Sequence, residues 1–197
     1  MLRTNDISYD VLRMIQKGRT MDSVYLKKYN SPVGGITIAA NDNALMGVWI
    51  EGQKYDLSSC RDCLTEYNDT YILDMACDWL DGYFKGEKPE IERLPLCPRG
   101  SEFRQKVWKI LCRIPYGKTV TYGDIARQIC DESGISEMSA QAVGGAVGHN
   151  PISIIIPCHR VVGSDGSMTG YAGGIDIKVK LLKHEGVRLG DNNKILN

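Results

Sequence analysis

The stretch SAQAVGGAVGHNPISIIIPCHRVV, Ser139–Val162, carries the reading of this chain. Ser139 can cap a helix over Ala140–Gly148, because a serine oxygen just before the first turn accepts an otherwise unpaired backbone N–H. That helix holds Ala140, Ala142, Gly144, Gly145, Ala146 and Gly148, although each interior glycine costs about 1 kcal/mol against alanine. Two explanations fit: close packing against another element, or a smooth backbone that must approach a ligand or a groove. Asn150-Pro151 ends the helix, and Ile152–Ile156 reads as a buried strand. The strand delivers Pro157-Cys158-His159-Arg160. A buried cysteine is ordinarily inert packing, but the positive neighbours here favour the thiolate, which is the nucleophilic form. In an extended segment adjacent side chains face opposite ways, so His159 would reach Cys158 through a bridging water.

Upstream, Ser101 can cap a helix whose apolar stripe is Phe103, Val107, Trp108, Leu111 and Ile114. Pro115-Tyr116-Gly117 stops it, and Lys118–Val120 is a short extended piece. Thr121 with Asp124 three residues on forms a capping box that opens a helix through about Cys130. A polar loop, Asp131–Met138, leads back to Ser139. Helix, turn and small-faced helix make a helix-turn-helix candidate. Gly86, Pro89, Pro95, Pro98 and Gly100 punctuate the chain before this region and place a domain boundary near residue 95. The part before it, 1–95, reads as α/β. Ile36–Ala40 and Ala44–Ile50 form a hairpin, and residues 70–84 form a helix with Ile72, Leu73, Met75, Ala76, Trp79, Leu80 and Tyr83 at helical spacings. Val11, Leu12 and Ile15 mark a further helix within about 1–20. The part after the boundary, 96–197, reads as mainly α.

Composition bounds the alternatives. Of 197 residues 43% are hydrophobic and 24% charged, which is ordinary globular usage and excludes disorder, collagen and coiled coil. Lys+Arg and Asp+Glu both count 24, and that zero balance by itself speaks against a nucleic-acid partner. It hides a split, however. Residues 1–95 hold 11 basic and 15 acidic side chains, net −4, and residues 96–197 hold 13 and 9, net +4. A basic module carried by an acidic partner domain is the functional reading of that split. Asp6 and Asp10 stand where a secretory leader would be apolar, and no aliphatic run is long enough for a bilayer. With seven unpatterned cysteines, a reduced cytoplasmic setting follows. Cys60 and Cys63 form a lone C-x-x-C with no second close pair, so structural zinc is not expected there, and whether the pair binds metal is left open.

Taken together and in this order, Val143-Gly144-Gly145-Ala146, Asn150-Pro151, Ile156–Val162, Tyr171-Ala172-Gly173-Gly174 and His184-Glu185-Gly186 resemble the O6-alkylguanine-DNA alkyltransferase family. Phe103–Ala126, with Pro115-Tyr116-Gly117-Lys118 and Thr121-Tyr122, is similar to the family's upstream segment. The resemblance covers about 95 to 189 closely. It implies a ribonuclease H-like α/β N-terminal domain, a small sheet with helices, followed by a mainly α C-terminal domain with a winged helix-turn-helix. It implies DNA repair by direct reversal: irreversible, single-turnover transfer of an alkyl group from O6-methylguanine in duplex DNA to a cysteine, after base flipping. Whether O4-methylthymine is taken too is left open.

By the same resemblance Cys158 is the acceptor, His159 its base through water, Glu185 the residue orienting that histidine and Asn150 the hinge asparagine. Tyr122 helps rotate the nucleotide out. The carbonyl of Val161 and the backbone of Tyr171, Ala172 and Gly173 line the guanine pocket. Gln141, Ala142, Gly144, Gly145 and Arg160 join the DNA-facing residues, and the small-faced helix docks in the minor groove. The implied protein is monomeric and free of membrane. Two features depart from the family: Gln141 stands where an arginine usually wedges into the gap left by the flipped base, and Asp131–Met138 looks long. Gln141 brings no charge, so weaker flipping or a different substrate preference is expected. A binding module that flags lesions without repairing them would carry another residue at 158. A cysteine hydrolase would draw its histidine from elsewhere in the chain and leave the helix-turn-helix unexplained.

Overall fold

A computed structural model describes residues 23–57, 60 and 64–196. The expected helix within 1–20 and Cys63 of the C-x-x-C lie outside the described residues. The first half is built on a four-stranded sheet. Strands β1 (Ser23–Ser31), β2 (Gly34–Ala40) and β3 (Leu45–Ile50) are consecutive and antiparallel, and β4 (Leu64–Tyr67) runs parallel to β1, giving the order β3-β2-β1-β4. The hairpin read from 36–50 is present. Strands β2 and β3 are apolar almost throughout because both faces are covered. Ile36, Ile38, Leu45, Val48 and Ile50 join the main core, while Ala39, Met46 and Trp49 join a smaller cluster.

Helix α1 (Tyr71–Lys85) is capped by Thr70, whose side chain accepts from Leu73 N–H, and ends at Gly86 in the left-handed region. Its stripe of Ile72, Leu73, Ala76, Trp79, Leu80 and Tyr83 is buried. In the second half Ser101 caps α2 (Glu102–Cys112), and the capping box of Thr121 and Asp124 opens α3 (Tyr122–Ser133). Strand β5 (Val120–Thr121) pairs in parallel with β6 (Val161–Val162), Ser139 caps α4 (Ala140–Gly148), and α5 (Ile175–His184) closes the set. The two halves share one core, which runs from Ile36 and Val48 through Trp108 and Val147 to Ile156 and Leu181.

Two expectations are corrected. Helix α3 continues three residues past Cys130, because Glu132 is held by Arg113 at 2.7 Å and by Gln128 at 2.9 Å. Gly134, at φ 65°, supplies the stop, so the polar loop is shorter than Asp131–Met138. Ile152–Ile156 is buried but is not a strand. Only Ile152 bridges to β3, at Val48, after which the chain turns through Ile154 at φ 71°. Ser153 N–H still donates to the Val48 carbonyl at 2.9 Å, and beyond it the backbone is satisfied locally: Ile156 N–H donates to the Ile152 carbonyl at 3.0 Å, and the Asn150 amide donates to the carbonyls of Ile152 and Ile156.

Candidate active site

Asn150 follows the last turn of α4 and is buried. Its Nδ2 donates to the Ile152 carbonyl at 3.3 Å, the Ile156 carbonyl at 2.8 Å and Cys158 Sγ at 3.1 Å, while Oδ1 accepts from Ile152 N–H at 3.0 Å. One amide therefore shapes the turn that presents the cysteine and touches the sulfur itself. Cys158, His159 and Arg160 form a single 3-10 turn rather than an extended segment. This corrects the alternating geometry expected there. The backbone N–H groups of Cys158 and His159 also turn toward the sulfur.

His159 is fully buried, and its Nε2 lies 2.7 Å from Glu185 Oε1. Nδ1 has no protein partner, so with a proton on Nε2 it is the free basic nitrogen. Glu185 ends α5 and is saturated with donors. Arg160 binds it in a fork, Nε to Oε2 at 2.9 Å and Nη2 to Oε1 at 2.9 Å, and spends Nη1 on the Ile114 carbonyl at 2.5 Å. Gly117 N–H donates to Oε2 at 2.9 Å. Gly117 has φ 71°, and a Cβ there would sit 2.7 Å from the Glu185 carbonyl oxygen, so only glycine fits that turn. The Tyr83 hydroxyl donates to Oε1 at 2.9 Å.

Electrostatics follow from burial. Burial pushes the Cys158 thiol up, more than the Asn150 amide and Lys178 pull it down. The positive neighbours read from the sequence give the sulfur little help: burial lowers the His159 pKa, and the Arg160 charge is spent on Glu185. Burial alone would raise the Glu185 carboxyl, but His159 and Arg160 outweigh it and hold it well below the usual carboxylate range. Arg160, expected among the DNA-facing residues, is 5% exposed and turned inward. Lys178 is wholly buried, its Nζ donating to the Val161 carbonyl at 2.5 Å and to the Thr169 carbonyl at 2.8 Å. Burial brings its pKa down to about 8.

Around this centre the other named residues fall in two groups. Tyr171 is buried, its hydroxyl beside Ser153 without a well-formed hydrogen bond. Its loop continues through Ala172, whose carbonyl accepts from Lys54 N–H at 3.0 Å, to Gly173, where a Cβ would meet the Tyr171 ring at 2.9 Å. The Tyr122 hydroxyl donates to the Thr169 carbonyl at 3.1 Å. Gln141, Ala142 and Gly145 lie apart from the sulfur, exposed on α4, with Gly144 half-buried against Tyr122. A Cβ on Gly145 or Gly148 would meet nothing within 4 Å. Internal packing is therefore not what requires these two glycines.

Tyr83, Gly117 and Lys178 escaped the sequence reading as site residues. Lys178 left a signal, since it falls on the buried stripe of α5 with Val179, Leu181 and Leu182. Among the described residues no group of His, Cys, Asp or Glu is placed to hold a metal ion, and no helix is long and apolar enough to cross a membrane.

Two family models match the chain. One, described as 6-O-methylguanine DNA methyltransferase, ribonuclease-like domain, covers residues 24–98; the other, 6-O-methylguanine DNA methyltransferase, DNA binding domain, covers 102–187. A methylated-DNA–protein-cysteine methyltransferase of Mycobacterium tuberculosis is 42% identical over 163 residues, 82% of this chain and 92% of the relative. One from Methanosarcina acetivorans is 41% identical over 164 residues, 83% of this chain and 99% of the relative. A crystal structure of Mycobacterium tuberculosis OGT in complex with DNA superposes with a TM-score of 0.69 at 40% identity, covering 83% of this chain and 92% of that one.

Proposed function

The chain belongs to the 6-O-methylguanine DNA methyltransferase family, and we propose that Cys158 is its alkyl acceptor, His159 the base and Glu185 the residue that orients the base. The protein repairs DNA by moving an alkyl group from the damaged base to a cysteine of its own, and its partner is DNA. The observation that carries the residue assignment is the continuous buried line from Asn150 through Cys158 and His159 to Glu185.

The chemistry follows from that line. Burial keeps the resting thiol protonated, so its proton must leave as the sulfur attacks. Nδ1 of His159 takes it through water. The Sγ–C bond forms as the O6–C bond breaks, the electron pair stays on the guanine oxygen, and the base takes up one proton to become ordinary guanine. A thioether has no ready route back to the thiol, so each molecule acts once. Cys158 is 4% exposed and an alkylated O6 is unreachable inside a stacked duplex, so the base must flip at a cost of a few kcal/mol. In this reading Gln141, Ala142, Gly144 and Gly145 of α4 meet the minor groove and Tyr122 assists extrusion. The Val161 carbonyl and the loop Tyr171–Gly173 receive the purine. Arg160 holds Glu185 instead of DNA. The protein works as a cytoplasmic monomer without a cofactor.

The test is duplex DNA carrying labelled O6-methylguanine, with label and protein mass followed together. One methyl group per molecule on Cys158, and none on the Cys158→Ala variant, is the expected result. Repeated turnovers, or binding without transfer, would overturn it.

A further inference from the structure

Tyr83 lies on α1, in the half of the chain that contributes none of Asn150, Cys158, His159 or Glu185. Its hydroxyl nevertheless reaches Glu185 Oε1 at 2.9 Å across 102 residues of sequence. That oxygen is the one that faces His159 Nε2 at 2.7 Å. The ring is pinned on all sides: it stacks on Trp79 at 5.6 Å between centroids, meets Phe84 at 5.1 Å and Tyr116 at 6.0 Å, and is 1% exposed. Its backbone carbonyl is held by His184 Nε2 at 2.7 Å. A side chain so fixed has one polar atom, and that atom is aimed at the catalytic carboxylate.

Resting on the assignment of His159 as the base, we propose that Tyr83 is a positioning residue of the transfer reaction: its hydroxyl fixes Glu185 Oε1 and takes up part of the charge that the imidazole would otherwise face. A carboxylate oxygen shares its charge among the donors it accepts. Oε1 accepts from Tyr83, His159 and Arg160, so each donor weakens the pull that the other two feel. Without the Tyr83 hydroxyl, Oε1 would stabilise an imidazolium at His159 more strongly, and the base would be blocked by a proton at higher pH. The other groups facing this pair stay in place. Arg160 and Lys178 disfavour a proton on His159, Cys158 is neutral when protonated, and Gly117 N–H binds only Oε2. Tyr116 lies under the Arg160 guanidinium at 5.7 Å, and His184 contacts the backbone of Tyr83.

Tyr83→Phe removes the donor and keeps the ring. Two measurements apply: the pH dependence of single-turnover transfer from an O6-methylguanine duplex, and the titration of the His159 imidazole by NMR. The expected result is an acid limb moved up by about half to one pH unit, roughly 3- to 10-fold slower transfer on that limb. The alkaline plateau and DNA affinity should stay within about twofold, as befits a loss confined to one protonation state. The imidazole titration should move with the limb. An unmoved limb and imidazole, or an equal loss at every pH, would overturn the proposal and leave the hydroxyl a packing contact. Should Tyr83→Phe fold poorly, 3-fluorotyrosine placed at 83 keeps every contact with a stronger donor and should shift limb and imidazole downward; no shift overturns the proposal as well. A wild-type protein that transfers nothing would sink the assignment of the base, whereas the imidazole titration judges Tyr83 on its own.

Discussion

Glu185 is the residue on which the site depends, because two kinds of work meet in one carboxylate. Its Oε1 meets His159 Nε2 at 2.7 Å, and it neutralises Arg160, whose side chain is 6% exposed against 0% for Glu185. Read from the sequence alone, Glu185→Gln should slow transfer with DNA binding largely kept. The fork from Arg160 changes that expectation, because an amide leaves a buried guanidinium without its counter-charge. Breaking one partner of such a pair costs about 3–5 kcal/mol. Urea unfolding of Glu185→Gln should show a loss of that order together with slowed transfer. A variant as stable as the parent would mean that Arg160 finds other compensation. His184-Glu185-Gly186 was legible as a motif. The resemblance paired it with His159, but Arg160, Gly117 and Tyr83 were not legible as partners, since the identity of a hydrogen-bond donor 102 residues away leaves no trace in local spacing.

At the scale of elements, α4 separates two roles that glycine can have. The caps Ser101, Thr121 and Ser139 were legible because capping is decided by a few consecutive residues. What the small face of α4 is for was open between inward packing and outward contact. Trp108 Nε1 donates to the Ala146 carbonyl at 2.9 Å on the inner side, where Val143, Ala146 and Val147 are buried, while Gly145 faces open space. Gly145→Ala should therefore stabilise the fold by up to about 1 kcal/mol through helix propensity. It should also weaken DNA binding, if the groove needs a bare backbone. Thermal unfolding and a binding titration on the same variant check both halves. Unchanged DNA affinity would remove α4 from the interface at that position. The Ile152–Ile156 run shows where element reading fails. Apolar content marks burial, but a strand also needs a partner edge, and here an asparagine amide supplies the hydrogen bonds instead.

For the whole molecule, a net charge of zero resolves into −4 and +4 halves, and several of the basic groups are already paired. Arg113 binds Glu132 and Arg127 binds Asp124. DNA affinity should accordingly fall with salt on a shallow slope, about −3 to −4 in log K against log salt, as for roughly four phosphate contacts. A flat dependence measured by binding titration would deny phosphate contacts altogether. The shared core joins the acidic half to the basic one: α1 brings Tyr83 to the Glu185 carboxylate, and β3 meets Ile152 at Val48. The amino-acid sequence by itself determined the helix starts, the hairpin, the helix-turn-helix spacing and Cys158 as the candidate nucleophile, because capping, turns and periodicity are settled within a few residues. Only the tertiary structure decided that burial pushes the Cys158 thiol up, that Arg160 turns inward, that Tyr83 reaches Glu185 and that Lys178 reaches the Val161 carbonyl. Those outcomes depend on burial and on contacts between distant segments, and a buried charge is set by whatever the fold places beside it.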